Sequence, residues 1–265
     1  MGRIRNSDTV LIVGGSQGIG LAIARRLCVL DCRIVIAARH VAALDQARAE
    51  LAGIAGSRAT IETLVVDVCR HDSVLALRDE LIARIGTPTH VINCAGRAVA
   101  AYLEEQPLED YRSMMDLNFM GTVHLSHAFL PLFRARGSGH LIHASSILGF
   151  VGSFGWAAYA ATKFAVVGYC ESVYSEYRRH GVEVCVLCPP ATLTPGFDTE
   201  NKTKPAAVRE AEAWIEPVTA DYVARALLNA IARKRFMVVP TLKGRFLYRA
   251  TRWLPGLVRH LAAAR

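Results

Sequence analysis

Thr9-Val10-Leu11-Ile12-Val13-Gly14-Gly15-Ser16-Gln17-Gly18-Ile19-Gly20, running on into Leu21-Ala22-Ile23-Ala24-Arg25-Arg26-Leu27, is the stretch that decides the fold. Its first five residues are apolar or β-branched without polar alternation, the pattern of a strand covered on both faces. Four glycines follow within seven residues, and then an amphipathic helical pattern begins. Glycine permits a tight turn and lets backbone N–H groups come close to a ligand. A helix that starts at such a turn presents its positive end and unpaired N–H groups to an anion. Gly14, Ser16, Gln17, Gly18, Ile19 and Gly20 are therefore the expected cradle for the pyrophosphate of a dinucleotide. A glycine-rich loop alone is weak evidence. Placed between a first strand and a first helix it is much stronger.

Outward from that stretch, short apolar runs alternate with longer helical patterns. Residues 33–38, 60–66, 90–92, 140–144, 182–187 and 236–239 read as further strands. Residues 18–30, 41–52, 72–85, 108–136, 156–179 and 220–233 read as helices. This order predicts an α/β chain with a single-domain Rossmann fold, a doubly wound, seven-stranded parallel sheet with helices on both faces. The domain is expected over residues 1–240. Residues 189–217, rich in Thr and Pro and without a clear period, read as a substrate loop beyond a strand's carboxyl end. Residues 241–265 read as a basic amphipathic tail.

With 52% hydrophobic and 20% charged residues the chain can bury a core and is not of the disordered class. The net charge of +8 is localised: residues 233–265 hold nine Lys and Arg and no Asp or Glu, so the rest is close to neutral. That balance argues against nucleic acid as a partner. If residues 243–262 are helical, Arg245, Arg249, Arg252 and Arg259 share one side, and Phe246, Ala250, Trp253 and Leu257 form an apolar stripe, interrupted at Pro255. Such a segment suits the surface of an anionic membrane. No run approaches the ~20 apolar residues of a membrane span. Seven scattered cysteines behind an N-terminus without an apolar signal segment suggest reduced thiols. The expected location is cytoplasmic, peripheral at a membrane. No metal is expected: Cys185 and Cys188 fall on opposite faces of a strand, and His124 and His127 lie in a helix.

Where the second strand ends, an enzyme that uses NAD usually carries an acid for the ribose 2′-hydroxyl. Here the stretch is Ala37-Ala38-Arg39-His40. Arg39 offers a fork of donors to a 2′-phosphate, which favours NADP(H) over NAD(H). Asp67, after the third strand, is placed to accept from the adenine amino group. Asn93-Cys94-Ala95-Gly96 follows the fourth strand and would build the cofactor floor. Tyr159 and Lys163 are one helical turn apart on one face. An ammonium beside a phenol favours the phenolate, so the pair suits proton exchange. Ser146, just past the fifth strand, would hold a substrate oxygen as charge develops on it. Asn118, inside the 108–136 stretch, would bend that helix and hold a water beside Lys163.

Gly14-x-x-x-Gly18-Ile19-Gly20, Asn93-Cys94-Ala95-Gly96, Asn118, Ser146 and Tyr159-x-x-x-Lys163 resemble, in order and spacing, the short-chain dehydrogenase/reductase family over about residues 8–240. The resemblance implies that Tyr159 is the general acid/base and that Lys163 tunes it and holds the nicotinamide ribose. It implies that Ser146 orients the carbonyl and that Asn118 completes a proton relay. It also implies cofactor contacts from Val68, Asn93, Ala95, Gly96, Pro189, Thr192 and Thr194, the last at the nicotinamide carboxamide. Val13, Cys94 and Pro189-Pro190 depart from the family's usual residues. The stretch from Cys188 to Phe197, with Glu200 to Pro205, resembles the 3-ketodihydrosphingosine reductase branch. That implies a long-chain, lipid-like 3-keto substrate reduced with NADPH. Leu148, Phe150, Phe154, Trp156 and Phe197, with Ser146 and Tyr159, would line its slot. The same chemistry also serves an alcohol or steroid dehydrogenase, or a 3-oxoacyl reductase. The family implies a homodimer or homotetramer built on the two long helices.

Overall fold

The computed structural model describes residues 4–55, 59–213 and 215–263. Strand β1 (Thr9–Val13) leads through the glycine turn into α1 (Gly18–Leu27). Then come β2 (Arg33–Ala38), α2 (Val41–Ala55), β3 (Thr60–Val65), α3 (His71–Arg84) and β4 (His90–Asn93). Helices α4 (Leu108–Met114) and α5 (Gly121–Arg136) precede β5 (Gly139–Ala144). Helix α6 (Ala157–Tyr177) precedes β6 (Val182–Leu187), and α9 (Ala220–Ala232) precedes β9 (Met237–Val238). These seven strands form one parallel sheet in the order β3-β2-β1-β4-β5-β6-β9. The chain works outward from β1 in both directions, so the carboxyl ends of β1 and β4 diverge into a crevice.

The absence of polar alternation in the strands is explained by two cores, one on each face. Val10, Ile12, Ile34 and Ile36 pack against α1, α2 and α9. Leu11, Val13, Val35 and Val91 pack against α3, α5 and α6. Each such side chain contributes roughly 1.5–3 kcal/mol by leaving water. Cys185 lies in the first core and Cys188 in the second, as strand alternation requires.

Buried histidines set an acid limit on this core. His90 stacks on His140 at 4.4 Å, and its Nε2 has no hydrogen-bond partner. His143 lies between Asn93, at 3.4 Å, and Ser126, at 3.1 Å. Burial first, then nearby positive charge, pulls both His90 and His143 down to about 3. Both folded-state values lie below the ordinary 6.5, so the unfolded chain takes up protons first. Stability is therefore full above about pH 6.5 and falls with acid until the folded values are reached. Between pH 6.5 and 5 each histidine is expected to remove about 2 kcal/mol. Urea midpoints at pH 7 and pH 5 measure this, and equal midpoints would overturn it.

Three regions differ from the sequence expectation. Residues 108–136 are not one regular helix, because a π-helical turn, Met115–Met120, joins α4 to α5. Residues 189–217 are not a plain loop. They hold β7 (Thr192–Leu193), α7 (Pro195–Thr203) and α8 (Ala206–Glu212), and β7 pairs with β8 (Val218–Thr219). The Thr194 hydroxyl caps α7 by accepting from the Phe197 N–H at 3.1 Å, and Pro195 opens it. Such short polar helices carry too few turns for a periodic signal. The tail folds as α10 (Leu242–Trp253) and α11 (Pro255–Ala263), split where Pro255 cannot continue the first. Helix α10 docks on the domain: Tyr248 meets the Phe150 ring at 5.2 Å, and Arg252 pairs with Glu171 at 2.6 Å.

Candidate active site

The glycine turn is built by close approach. Gly14 has φ +74°, and a Cβ there would sit 2.7 Å from the Ala95 nitrogen. A Cβ on Gly20 would sit 2.2 Å from the Gly14 carbonyl oxygen. Gly18, at φ +57°, faces Thr194, whose Cγ2 would lie 3.3 Å from an added Cβ. Ser16 and Ile19 stand in this turn. Gln17, the residue before α1, supplies no side-chain cap, and the first turn of α1 holds no acid. Backbone donors at a positive helix end are thus left for an anion, as a pyrophosphate requires. Arg39 is exposed past β2 and, among the described residues, has no hydrogen-bond or ion-pair partner. Asp67 Oδ1 accepts from the Cys69 N–H at 3.1 Å. The cradle, the exposed arginine after β2 and the acid after β3 fit a dinucleotide laid across the crevice.

Other expected cofactor contacts are turned inward. Asn93 is buried, its amide reaching Thr122 and His143 and its Oδ1 accepting from the Ala95 N–H at 3.1 Å. It holds the Cys94–Gly96 floor in place. Val68 belongs to the second core and lies against Gly121. Pro189 is buried, and its carbonyl accepts from the Ile147 N–H at 3.1 Å. Thr192 is buried and donates to the Pro190 carbonyl at 2.7 Å.

Lys163 and Tyr159, on α6, meet Ser146 and Asn118 at the open end of the sheet. Lys163 is 4% exposed, donates to the Ala144 carbonyl at 3.0 Å and lies 5.5 Å from the Tyr159 ring centre. Ser145 fastens that turn of α6 to the end of β5, donating to the Lys163 carbonyl at 2.9 Å. Asn118 lies in the π-helical turn, which turns its side chain out of helical register. Its Nδ2 donates to the Arg97 carbonyl at 2.9 Å and to Thr162 Oγ1 at 3.0 Å, and its Oδ1 accepts from the Arg97 N–H at 3.0 Å. A Cβ on Gly96 would come 3.0 Å from Asn118 Oδ1 and 3.4 Å from Lys163 Nζ, so both converge on that glycine. π-turns of this kind cluster at functional sites.

Electrostatics correct one expectation. Burial pushes the Tyr159 phenol above its ordinary value, the Glu200 carboxylate adds to the rise, and a hydrogen bond from Ser146 opposes it. Lys163 is itself drawn down to about 8 by burial. Desolvation thus sets the direction of the shift at both groups. Tyr159 is held as the neutral phenol, the form that gives a proton away.

The slot residues divide. Leu148, Trp156 and Tyr159 gather with Ala98, Ala100 and Val208 into a small apolar cluster beside the site. Phe150 is a correction: it packs in the second core and against Tyr248 of α10, because the short turn at Ile147–Gly149 rotates it away. Phe154 is also a correction, being 56% exposed beside Tyr102. Phe197 lies on α7 near Lys204, whose ammonium is 5.5 Å from its ring.

Spacing along the chain missed a buried ion network above the site. Lys204, 4% exposed, pairs with Glu200 at 3.1 Å and Glu212 at 2.8 Å, and the Trp156 indole N–H donates to Glu212 at 2.6 Å. Lys204 and Glu200 are one helical turn apart, which was a usable local signal. Glu212 and Trp156 are joined only by folding. Among the described residues no group of three metal-ligating side chains occurs, and no helix is long and apolar enough to cross a membrane.

The chain belongs to the short chain dehydrogenase family, whose model matches residues 8–205. Among curated proteins it resembles 3-dehydrosphinganine reductase of Danio rerio, 33% identical over 202 residues, which are 76% of this chain and 61% of that protein. It also resembles 3-dehydrosphinganine reductase TSC10B of Arabidopsis thaliana, 32% identical over 86% of this chain and 68% of that one. The chain thus spans about 61% of the length of the first of these relatives. Among solved structures, a Sphingobium yanoikuyae short-chain dehydrogenase in complex with NADPH matches with TM-score 0.79 and 27% identity over 97% of this chain and 96% of that one. A Burkholderia phymatum short chain dehydrogenase/reductase in complex with NAD matches with TM-score 0.83 and 24% identity over 95% of each chain, a likeness of fold.

Proposed function

We propose that this chain is an NADPH-dependent reductase that turns the 3-keto group of a long-chain sphingoid base into a secondary alcohol. The observation that carries the reading is the meeting of Tyr159, Ser146, Lys163 and Asn118 at the carboxyl edge of the sheet, beside the glycine cradle. When bound, the nicotinamide supplies a hydride to the carbonyl carbon. Tyr159 gives its phenolic proton to the carbonyl oxygen, and the Ser146 hydroxyl holds that oxygen as charge develops. Lys163 and Asn118 return a proton toward Tyr159. The apolar cluster of Leu148, Trp156 and Val208 receives the alkyl chain. The names of the relatives support the sphingoid substrate. The reading includes contact of the basic tail with the membrane in which such a substrate lies, and a homodimer or homotetramer through α5 and α6.

Arg39 carries the choice of NADPH. Replacing it by aspartate removes a charge-assisted hydrogen bond to a 2′-phosphate and adds repulsion. The affinity for NADPH is expected to fall about 10–100-fold, with NADH little changed. Titration of both cofactors measures this, and equal effects on the two would remove Arg39 from the site. The activity itself is tested by NADPH oxidation with 3-keto sphingoid bases of graded chain length. Turnover that rises with chain length supports the lipid reading, and preference for short polar ketones overturns it.

A further inference from the structure

Helices α9 and α10 and strand β9 border an open cavity of about 430 Å³, lined by none of the residues placed in the active site. Its wall carries Arg225, Arg233, Arg235, Arg245 and Arg249 and no carboxylate. Arg245 is held in place by donating to the Val239 and Pro240 carbonyls at 2.9 and 3.0 Å. Arg225 lies over the Tyr222 ring at 5.5 Å. Among the described residues none of the five makes an ion pair. All five are exposed and keep their protons at any physiological pH, and although Asp221 offsets part of the charge of Arg225, the wall keeps an excess of positive charge. A concave wall of one sign also focuses its field inward. Forked donors around such a space match the oxygens of a phosphate.

A second observation says which phosphate. On α10 the cavity-lining Arg245, Tyr248 and Arg249 form the flank of an apolar edge made by Leu242, Phe246 and Trp253 at helical spacing. Phe246 is 75% and Trp253 83% exposed, and Leu254 and Leu257 beyond them are exposed as well. Ala250, expected in this stripe, is instead half-buried, and Leu242 takes a place in it. Phosphate and alkyl chain stand side by side in this way at the surface of a phospholipid bilayer.

We propose that the arginine cavity binds the phosphate of an anionic phospholipid headgroup while the Leu242–Phe246–Trp253 edge enters the acyl boundary, docking the protein on an anionic membrane. The inference deepens the tail–membrane contact proposed above by assigning it a headgroup site. Co-sedimentation of the full chain with vesicles of phosphatidylcholine, alone or mixed with phosphatidylglycerol, tests it. The protein is expected to bind the mixed vesicles and to release in high salt. An Arg233→Gln/Arg235→Gln/Arg249→Gln variant is expected to bind them about a hundredfold more weakly, with unchanged turnover of a water-soluble ketone. A Phe246→Ser/Trp253→Ser variant is expected to lose the vesicles altogether. If the arginine variant binds as the parent does while the apolar variant fails, the headgroup site is wrong and the tail contact stands. If neither variant is impaired, both are wrong. If the parent binds inorganic pyrophosphate through these arginines but no vesicle, the cavity serves a soluble phosphate and the docking proposal falls.

Discussion

Replacing Tyr159 by phenylalanine is expected to lower kcat about 10³-fold while leaving the affinity for NADPH unchanged. The substitution removes one oxygen and keeps the ring, which packs 5.8 Å from Trp156 and 5.5 Å from the Lys163 ammonium. The fold around it therefore has no reason to move. What disappears is the hydroxyl proposed above as the proton donor. In the folded chain that donor is held neutral by burial, with Glu200 reinforcing and Ser146 opposing the effect. Single-turnover rates with a keto substrate, beside fluorescence titration of NADPH, separate chemistry from binding. A variant that kept more than about a tenth of the parent rate would exclude Tyr159 as the proton source, since general-acid roles are worth at least ~10².

Gly20→Ala is expected to abolish dinucleotide binding without unfolding the sheet. Its added Cβ would stand 2.2 Å from the Gly14 carbonyl oxygen and 2.9 Å from the Gly14 carbonyl carbon, both backbone atoms. No rotamer change relieves such a contact. The turn has to open, and the space beside Gly14 is itself closed, since a Cβ built there would come 2.7 Å from the Ala95 nitrogen and 2.8 Å from the Cys94 carbonyl carbon. The cost to stability is about 1–3 kcal/mol, as for other overpacked sites. The N–H groups of the turn lose their common aim, so cofactor affinity should fall by more than about a hundredfold, equivalent to two lost charge-assisted hydrogen bonds. Gly53→Ala is the control. It lies in α2 with nothing within 4 Å of an added Cβ, and it should gain about 0.5–1 kcal/mol. Calorimetric titration and thermal melts measure both. Normal NADPH binding by the Gly20 variant would show that the turn is not the cradle.

The sheet was readable because each buried strand carries its signal locally. Leu11 and Ile12 are apolar for the same reason although they face different cores. The glycine turn and the Tyr159–Lys163 spacing on one helix were readable likewise, each depending on a few neighbouring positions. Asn118 was readable in part. An asparagine in a helical stretch signals irregularity, but only the folded chain shows the π-helical turn that directs it to Thr162 and the Arg97 backbone.

Phe150 and Trp156 show where local reading stops. Both are aromatic, both follow Ser146, and either suits a slot. One turns to α10 and the other to Glu212, and nothing within a few residues of either distinguishes them. The direction of the Tyr159 shift lies beyond local reading for a related reason. Proximity of Lys163 is a property of one helix, whereas desolvation comes from every element that closes over the ring.

Periods and motifs of contiguous residues were enough to establish an α/β dinucleotide fold with a tyrosine–lysine pair, since strand alternation, helical turns and glycine turns are short-range properties of the backbone. The ion network at Lys204, the neutral phenol and the arginine cavity required packing between residues far apart in the chain. Burial and like-charge convergence exist only once helices and sheet have closed on one another.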